Sequence, residues 1–219
     1  DSIKFWNHLG REHLTQKFKW KKPTDTGPKN VIFFLGDGMG LSMVTAGRVI
    51  NAQKRDEPYL NGKWAFEKFD FSGLLKTSSY DFHTTDSAAG AMALFSGHKV
   101  EQNSLGRKPG YGESCEKGEE AYINDGIAEL AIAKGMDVGI VTTTQLTDAT
   151  PAANYAKGVH RRMEHNNSPM IRNTSCIDSA QQLLNYPANQ FKVIMGGGHK
   201  YFIPVESGGE RTDGRNIEK

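Results

Sequence analysis

The sequence predicts an α/β fold in which helices cover both faces of a central, largely parallel β-sheet that this chain leaves incomplete. Strand-like and helical patterns alternate along the 219 residues. The first strand-like segment, in "NVIFFLGDGMG", is an apolar run without the polar alternation of a half-exposed strand, and it ends in a glycine-rich turn. Ligands of such sheets bind at the carboxyl ends of strands, so the loops at those ends are where we expect a site.

Hydrophobic periodicity and turn residues set the predicted elements. The N-terminal residues 1–25 are predicted to form a separate helix or arm, and residues 26–219 to form part of a single α/β domain. We predict strands over residues 31–35, 71–80, 137–145 and 191–198, and helices over 41–54, 87–97, 119–135 and 175–185.

The composition excludes several classes of protein. Hydrophobic residues make up 37% and charged residues 24% of the chain, and the net charge is +2, which argues against disorder and against nucleic-acid binding. No apolar run approaches the roughly 20 residues that a membrane-spanning helix needs. The chain starts at Asp1 without a basic and apolar leader, which fits a mature protein whose targeting segment has been removed.

The two cysteines, Cys115 and Cys176, lack the spacing of a zinc site. A disulfide and two buried free thiols are both compatible with the composition. Two glycosylation triplets, at Asn166 and Asn173, favour the oxidising secretory route, in which a disulfide would persist.

The stretch "GDGMG" follows the first predicted strand and contains Asp37. Its spacing is neither that of a dinucleotide-binding loop nor that of a P-loop. A carboxylate at the tip of an apolar strand is costly unless it is paired or binds a cation. We therefore consider two interpretations of Asp37, a metal ligand and a turn or helix-cap residue.

The stretch "TTDSAAGAMA" places Ser87 at the start of a predicted helix. Serine is a common N-cap, so a capping role is one interpretation. The other is a nucleophile, because the small residues 88–91 leave the first helical turn open to an anion such as phosphate. Asp86 could orient a basic partner, and a metal could activate a serine that has no histidine base.

The stretch "TTTQLTDATPAANYAKGVHRR" carries oxygen ligands and arginines. Pro151 favours extended backbone at Thr150, so that Asp148 and Thr150 point to the same side and could bind magnesium. An Asp/Thr turn before a helix is the alternative. Arg161 could grip a phosphate with its two-pronged guanidinium.

In this order, "NVIFFLGDGMG", "TTDSAAGAMA" and "TDATPAANYAKGVHRR" resemble the alkaline phosphatase family, and "FKVIMGGGHKYF" and "RTDGRN" are similar to its later landmarks. The resemblance implies a three-layer α/β sandwich. The N-terminal "FWN" helix and the cysteine spacing are more similar to the animal branch, which implies dimer contacts through that helix and a disulfide between Cys115 and Cys176.

Taken residue by residue, the resemblance implies a site with two zinc ions and one magnesium ion. Ser87 would be the nucleophile that forms a phosphoserine and would contact zinc, and Asp37 would bridge zinc and magnesium. Thr150 would bind magnesium, Arg161 would clamp the phosphate, and Asp86 would position Arg161. The implied activity is hydrolysis of phosphate monoesters at alkaline pH, with inorganic phosphate as a product.

The sequence also departs from the family pattern. Asp148 stands where the vertebrate branch has histidine, so the set of metal ligands is more similar to the bacterial arrangement. The resemblance also implies that Glu206 is a ligand of an additional calcium ion. The remaining zinc ligands of the family belong to a C-terminal half that this chain lacks. We therefore expect a C-terminal half as partner, a homodimer and an extracellular location, secreted or at the cell surface. The alternative is a non-catalytic secreted relative that acts as a structural or binding protein.

Overall fold

The computed structural model describes residues 11–12, 15, 29–59, 62–111, 115, 118–171 and 174–218. The chain divides into two compact units, Asp1–Leu75 and Lys76–Lys219, and each is described by itself. Almost all of the predicted N-terminal arm, residues 1–25, lies outside the described residues, so that the arm stays a prediction. Among the helices that are described, none has the length and apolar character needed to span a membrane.

In the described part of the first unit, the long helix is α1, over Leu41–Lys54, as the sequence predicts. A short 3-10 helix follows at Ala65–Lys68. Arg48 of α1 forms an ion pair with Glu67 of this 3-10 helix. The indole Nε1 of Trp64 donates a hydrogen bond to the carbonyl oxygen of Val44 at 3.2 Å, so both contacts fasten the 3-10 helix to α1.

The predicted strands over residues 31–35 and 71–80 are wrong. Neither segment forms a β-strand, because no segment that the structure describes pairs with them in a β-ladder. Their apolar side chains are exposed, with Phe34 at 88% and Leu74 at 93%. An apolar run supplies strand propensity, but a strand also requires a neighbour that shares its hydrogen bonds.

The second unit contains two parallel strands, β1 over Gly139–Gln145 and β2 over Val193–Gly197, at the predicted places. Ile140 pairs with Ile194, and both pack against the hydrophobic core. Val141 pairs with Met195, and both side chains are exposed. The described residues therefore form a two-stranded parallel sheet with a core on one face, which is less than the large sheet covered on both faces that the sequence predicts.

Among the residues of this unit that the structure describes, four α-helices accompany the strands: α2 Ser87–Ser96, α3 Ile127–Ala133, α4 Ala149–Ala152 and α5 Ser179–Gln182. The α2 helix matches its prediction closely. The α3 helix is shorter than predicted, because Gly126 has extended backbone and separates α3 from a 3-10 helix at Glu119–Ala121. The α5 helix is also shorter than the predicted 175–185. Further 3-10 helices are Ala188–Gln190, His199–Tyr201 and Val205–Ser207.

The core of the second unit includes one side of α2. Ala88, Ala89, Ala91 and Met92 are all buried there, and α2 packs on α3 and α4. Small side chains allow the neighbouring elements to approach α2 closely, and Met92 fills the remaining space. The start of α2 is therefore held rigidly by packing.

Two cross-links hold later segments of the second unit. Cys115 and Cys176 form the disulfide that the family resemblance implies, with their Cα atoms 5.3 Å apart. Arg211 is completely buried, and its Nη1 and Nη2 atoms donate to the two carboxylate oxygens of Asp178, each at 3.1 Å. Asp178 also caps α5 by accepting from the amide of Gln181 at 2.8 Å. The buried arginine is thus paired, as buried charges must be.

Candidate functional site

The α2 helix begins at Ser87, and the residue that caps it is Asp86. Asp86 Oδ1 accepts from the amide of Ala89 at 3.1 Å, and Oδ2 accepts from the amide of Ala88 at 3.0 Å. The interpretation of Ser87 as the N-cap is therefore wrong. Asp86 fills that role because its carboxylate reaches two amides that have no partner within the helix, and Ser87 is the first helical residue.

This capping changes the expectation for the open first turn. The amides of Ala88 and Ala89 were expected to face an anion, but they bind the Asp86 carboxylate. The amide of Gly90 donates to the Asp86 carbonyl at 3.0 Å, as in a regular helix. A bound phosphate would therefore depend on a cationic side chain more than on these amides.

Arg161 is the cationic side chain that the structure brings to this place. Its Nη1 atom donates to Asp86 Oδ2 at 3.2 Å, and its Nη2 atom donates to Asp148 Oδ1 at 3.0 Å. The three side chains are mostly but not fully buried, with 25%, 14% and 32% of Arg161, Asp86 and Asp148 exposed. The guanidinium thus bridges two carboxylates that the sequence places 62 residues apart, at positions 86 and 148.

Asn103 joins the same network through its main chain, which the sequence analysis missed. Its amide donates to Asp86 Oδ1 at 3.0 Å, and its carbonyl accepts from the amide of Arg161 at 2.7 Å. Asn103 has a left-handed backbone with φ 64°, a conformation in which asparagine is enriched. The asparagine at this position is the one feature of the sequence that indicates the left-handed turn. The hydrogen bonds themselves could not be predicted, because main-chain groups are the same in almost every residue type.

Asp148 caps α4, just as Asp86 caps α2. Its Oδ1 accepts from the amide of Ala149 at 2.7 Å, and its Oδ2 accepts from the hydroxyl of Thr144 at 3.1 Å. Thr150 is the second residue of this helix and is half-buried. The turn interpretation of this stretch is therefore supported, and Asp148 belongs to the arginine network at the same time.

The surroundings of Asp86 favour its ionised form. Burial alone would raise the pKa of Asp86, but hydrogen bonds from the amides of Asn103, Ala89 and Ala88 and from Arg161 outweigh burial and lower it. Asp86 is therefore a carboxylate at neutral pH, and it can keep Arg161 oriented.

A second pair next to this network was also missed by the sequence analysis. Thr147, immediately before Asp148, donates from its hydroxyl to Glu164 Oε2 at 2.7 Å. Burial raises the pKa of the Glu164 carboxyl, the bond from Thr147 opposes that rise, and the charge of Asp148 adds to it. Nothing in the local sequence pairs these residues, because 17 positions separate them.

Asp37 belongs to the first unit. It lies in an exposed turn with Gly38, whose φ of +64° is readily available only to glycine, and α1 begins at Leu41. The turn that the glycines predict is therefore present, and the metal-binding role of Asp37 stays a prediction.

The predicted ligands differ in how well their donor atoms suit the metals that the resemblance implies. Asp37, Asp148 and Thr150 offer oxygen atoms, which fit magnesium. Zinc prefers nitrogen and sulfur ligands together with carboxylates. Within the described parts of the chain, no group of three or more His, Cys, Asp or Glu side chains could hold a metal ion. By its own oxygen donors, each of these residues therefore fits magnesium better than zinc.

The remaining predicted sites lie elsewhere in the second unit. Glu206 is exposed on the 3-10 helix Val205–Ser207. The side chain of Asn166 binds Thr212 twice, through Nδ2 to the hydroxyl at 3.3 Å and through Oδ1 from the amide at 3.2 Å. Asn173 lies outside the described residues. Calcium binding and glycosylation at these positions stay predictions.

The second unit has an α/β fold, a serine at a helix start, and an arginine that is held by two carboxylates, one of which directly precedes that serine. These groups are expected of a phosphate-binding protein. The family model for alkaline phosphatase matches residues 28–219. The chain therefore belongs to the alkaline phosphatase family.

Individual relatives agree with this assignment. The chain is 39% identical over 201 residues to the membrane-bound alkaline phosphatase of Bombyx mori, a match that covers 86% of this chain and 36% of the relative. It is 35% identical over 203 residues to the human tissue-nonspecific isozyme, covering 92% and 38%. The chain spans between 34% and 48% of the lengths of the curated relatives compared with it.

Solved structures show the same partial match. The cold-active alkaline phosphatase from the psychrophile Shewanella sp. superposes with a TM-score of 0.56 at 26% identity, over 80% of this chain and 37% of that chain. The alkaline phosphatase from the Antarctic bacterium TAB5 has a TM-score of 0.52 at 23% identity, over 79% and 40%. The fold of this chain is therefore part of the alkaline phosphatase fold.

Proposed function

We propose that this chain supplies the nucleophile-bearing part of a metal-dependent phosphomonoesterase that works through a phosphoserine at alkaline pH. The observation that carries the proposal is the network of Arg161 with Asp86 and Asp148, directly next to Ser87 at the start of α2. Phosphoryl transfer needs positioning and charge stabilisation more than covalent help from the protein. A serine beside an oriented arginine meets both needs.

The proposed reaction has two steps. In the first, the Ser87 oxygen forms a bond to phosphorus while the bond from phosphorus to the substrate alcohol breaks, and the alcohol leaves with a proton. In the second, water attacks the phosphoserine, the Ser87 oxygen takes back a proton, and inorganic phosphate is released. The substrates are phosphate monoesters as a class, because the groups named here recognise the phosphate and not the alcohol.

Each side chain of the network has a part in this reaction. Arg161 has five N–H donors in one plane, and two of them bind Asp86 and Asp148. These two bonds fix the plane of the guanidinium and therefore the directions of its remaining N–H groups. A guanidinium fixed in this way can bind two phosphate oxygens at once. Asp86 keeps Arg161 in place and, by capping α2, also fixes the backbone of Ser87.

The metal ions in this proposal are two zinc ions and one magnesium ion. Asp37, Asp148 and Thr150 would contribute oxygen ligands to magnesium, and Asp37 and Ser87 would contribute to zinc. When bound, these metals would lower the pKa of a coordinated hydroxyl or water and neutralise charge on the phosphoryl group. The magnesium part of the proposal is supported by the oxygen donors of these side chains, which are the ligands that magnesium prefers. Glu206 would serve an additional calcium ion.

The remaining ligands and strands would come from a C-terminal half of the same protein. The chain covers only 36% and 38% of the lengths of two relatives, which supports a C-terminal half as its partner. We further propose that the completed protein is a three-layer α/β sandwich, that residues 1–25 form an arm in a homodimer, and that residues 26–219 belong to one α/β domain. We also propose an extracellular location, secreted or at the cell surface, and the name of the membrane-bound Bombyx mori relative is compatible with the second of these.

A second candidate function is a non-catalytic, secreted relative that binds phosphate or serves as a structural protein. The network of Arg161 with Asp86 and Asp148 is compatible with this candidate as well, because an oriented guanidinium can bind phosphate without any turnover. The two candidates differ in one measurable property, because only the enzyme turns over a phosphate ester.

The test uses the complete product of the gene that encodes this chain, supplied with zinc and magnesium. We expect it to hydrolyse p-nitrophenyl phosphate at alkaline pH. Ser87→Ala should lower kcat by at least about 10³-fold, because the enzyme loses its nucleophile. Ser96→Ala is the matched control, since Ser96 lies at the other end of α2, where its hydroxyl donates to the carbonyl of Met92 at 2.7 Å and accepts from the amide of His98 at 3.2 Å.

Substantial turnover by the Ser87→Ala protein would overturn the assignment of the nucleophile. A complete, metal-loaded protein that binds phosphate without hydrolysing the ester would favour the non-catalytic candidate. Equal losses in the Ser87 and Ser96 variants would show that disturbing α2, and not removing a nucleophile, causes the effect.

A further inference from the structure

Two side-chain contacts join the same two segments of the second unit. We call residues 146–148 the β1 exit loop and residues 161–164 the arginine turn. Asp148 of the loop binds Arg161 of the turn at 3.0 Å, and Thr147 of the loop binds Glu164 of the turn at 2.7 Å. The segments are therefore connected by two neighbouring links, and only the first includes the proposed phosphate ligand.

The second link lies in a buried setting. Thr147 is 0% exposed, so its hydroxyl has little access to water and would lose a partner without Glu164. A buried hydroxyl without a hydrogen bond is costly. The contact between Thr147 and Glu164 is consequently a strong constraint on the distance between the loop and the turn.

The arginine turn is also fastened on its other side. The carbonyl of Glu164 accepts from the amide of Ala180 at 3.1 Å, and the carbonyl of Met163 accepts from the amide of Ser179 at 2.8 Å. Both amides belong to the first residues of α5. Glu164 thus connects a fixed base, α5, to the residue immediately before Asp148.

The position of Asp148 matters because Arg161 is shared. Its guanidinium reaches Asp86 with one nitrogen and Asp148 with the other. If Asp148 shifts relative to the turn, the guanidinium must rotate away from Asp86, from Asp148 or from both. Small displacements of a group that orients a substrate have large effects on binding and rate.

We propose that Thr147 and Glu164 are positioning residues, which hold the Asp148–Arg161 pair in the orientation that phosphate binding requires. The inference rests on the proposed function of Arg161 as the phosphate clamp. It goes beyond that function by assigning a role to two residues that do not touch the substrate.

The experiment measures phosphate binding by the complete gene product with zinc and magnesium. The binding constant of inorganic phosphate is determined by calorimetry, and KM and kcat are determined with p-nitrophenyl phosphate. Thr147→Val and Glu164→Leu each remove the link and should weaken phosphate binding by about tenfold or more. Thr147→Ser and Glu164→Gln can still form the hydrogen bond, and both should bind phosphate within about threefold of the unmodified protein.

Glu129→Gln is the matched structural control. Glu129 forms an ion pair with Lys157 at 3.0 Å within the same unit, and neither residue belongs to the loop or the turn. This variant should lose thermal stability and keep its phosphate affinity. A purely structural role for Thr147 and Glu164 would instead make all the destabilised variants lose affinity in proportion to their loss of stability.

Unchanged phosphate affinity in Thr147→Val and Glu164→Leu would overturn the inference, and so would a failure of Thr147→Ser and Glu164→Gln to restore binding. An unmodified protein that binds phosphate without hydrolysing the ester would contradict the proposed reaction only, since the affinities still test the positioning role. A protein that does neither would contradict both.

Discussion

The start of α2 and the turn before α1 differ sharply, although both place an aspartate shortly before the first residue of a helix. Asp86 is mostly buried and accepts from three amides and Arg161. Asp37 is exposed, and the apolar segment before it, Val31–Phe34, is exposed as well. The first region is fixed by contacts within its own unit, whereas the segment before Asp37 has no strand partner in the described structure.

The difference shows which structural motifs can form from residues that are close together in the sequence. A capped helix needs a few residues along the chain and a core to pack against, and α2 has both in the second unit. A buried parallel strand needs hydrogen-bonded neighbours on its sides and cover on its faces. The segment before Asp37 therefore depends on partners far away in the sequence, and the start of α2 depends on them much less.

The largest expected effect comes from making the same substitution in both regions. Met92 of α2 is 1% exposed, whereas Met43 of α1 is 64% exposed. Met92→Ala should lower the free energy of unfolding of the second unit by about 2–5 kcal/mol, because it leaves a cavity in the core. Met43→Ala should change stability by less than about 0.5 kcal/mol. Urea titration, with hydrogen exchange of the α2 and α1 amides, would measure each change.

Similar costs for the two methionine substitutions would contradict the contrast between the regions. A large loss confined to Met43→Ala would reverse it.

An intermediate effect is expected from the two aspartates. Asp86→Ala removes a helix cap and one partner of Arg161, and should destabilise the second unit by about 1–2 kcal/mol. Asp37→Ala, measured in metal-free buffer, should stay within about 0.5 kcal/mol, because Asp37 is exposed. Thermal unfolding at neutral pH would separate the two variants.

The contribution of Asp86 should also depend on pH. Its folded-state pKa is lowered below the unfolded value of roughly 3.9, so the unfolded state takes up the proton first as the pH falls. The stabilisation is therefore fully present above pH of about 4 and is lost as the pH falls through the folded pKa. The difference in stability between the unmodified protein and Asp86→Ala should shrink in that acidic range. A difference that is constant from neutral to strongly acidic pH would argue against the carboxylate as its source.

The smallest effect on stability is expected in the segment before Asp37. Phe34 is 88% exposed, so Phe34→Ser should change the free energy of unfolding of this 219-residue chain by less than about 0.5 kcal/mol. Solubility should improve instead, because the substitution interrupts an exposed apolar run. Light scattering as a function of concentration would show it. A clear loss of stability would indicate that Phe34 is packed in solution.

Much of the fold that depends on nearby residues was predictable. Periodicity placed α1 and α2, and strand-like runs placed β1 and β2, the second of which ends in glycines. The strands predicted at 31–35 and 71–80 failed, because propensity does not say whether a partner strand is present. The α5 helix was predicted too long, since the sequence pattern did not show that its regular part ends at Gln182.

The candidate site divides in the same way. Asp86, Asp148 and Arg161 were singled out from the sequence, and the structure brings them together. The sequence did not show that Asp86, and not Ser87, caps α2. Aspartate and serine are both good N-caps, and only the geometry of the structure decides between them. The contacts of Asn103 and the link between Thr147 and Glu164 were out of reach, since they arise from tertiary folding.

The buried pair of Arg211 and Asp178 bears on where the chain can be shortened. Removal of Arg211 and everything after it would leave the Asp178 carboxylate, 1% exposed, without its counter-ion. An uncompensated buried charge costs several kcal/mol, and Asp178 also caps α5, the base of the arginine turn. The smallest piece of this polypeptide that preserves the second unit must therefore extend through Arg211, far beyond the last residue of the proposed catalytic network.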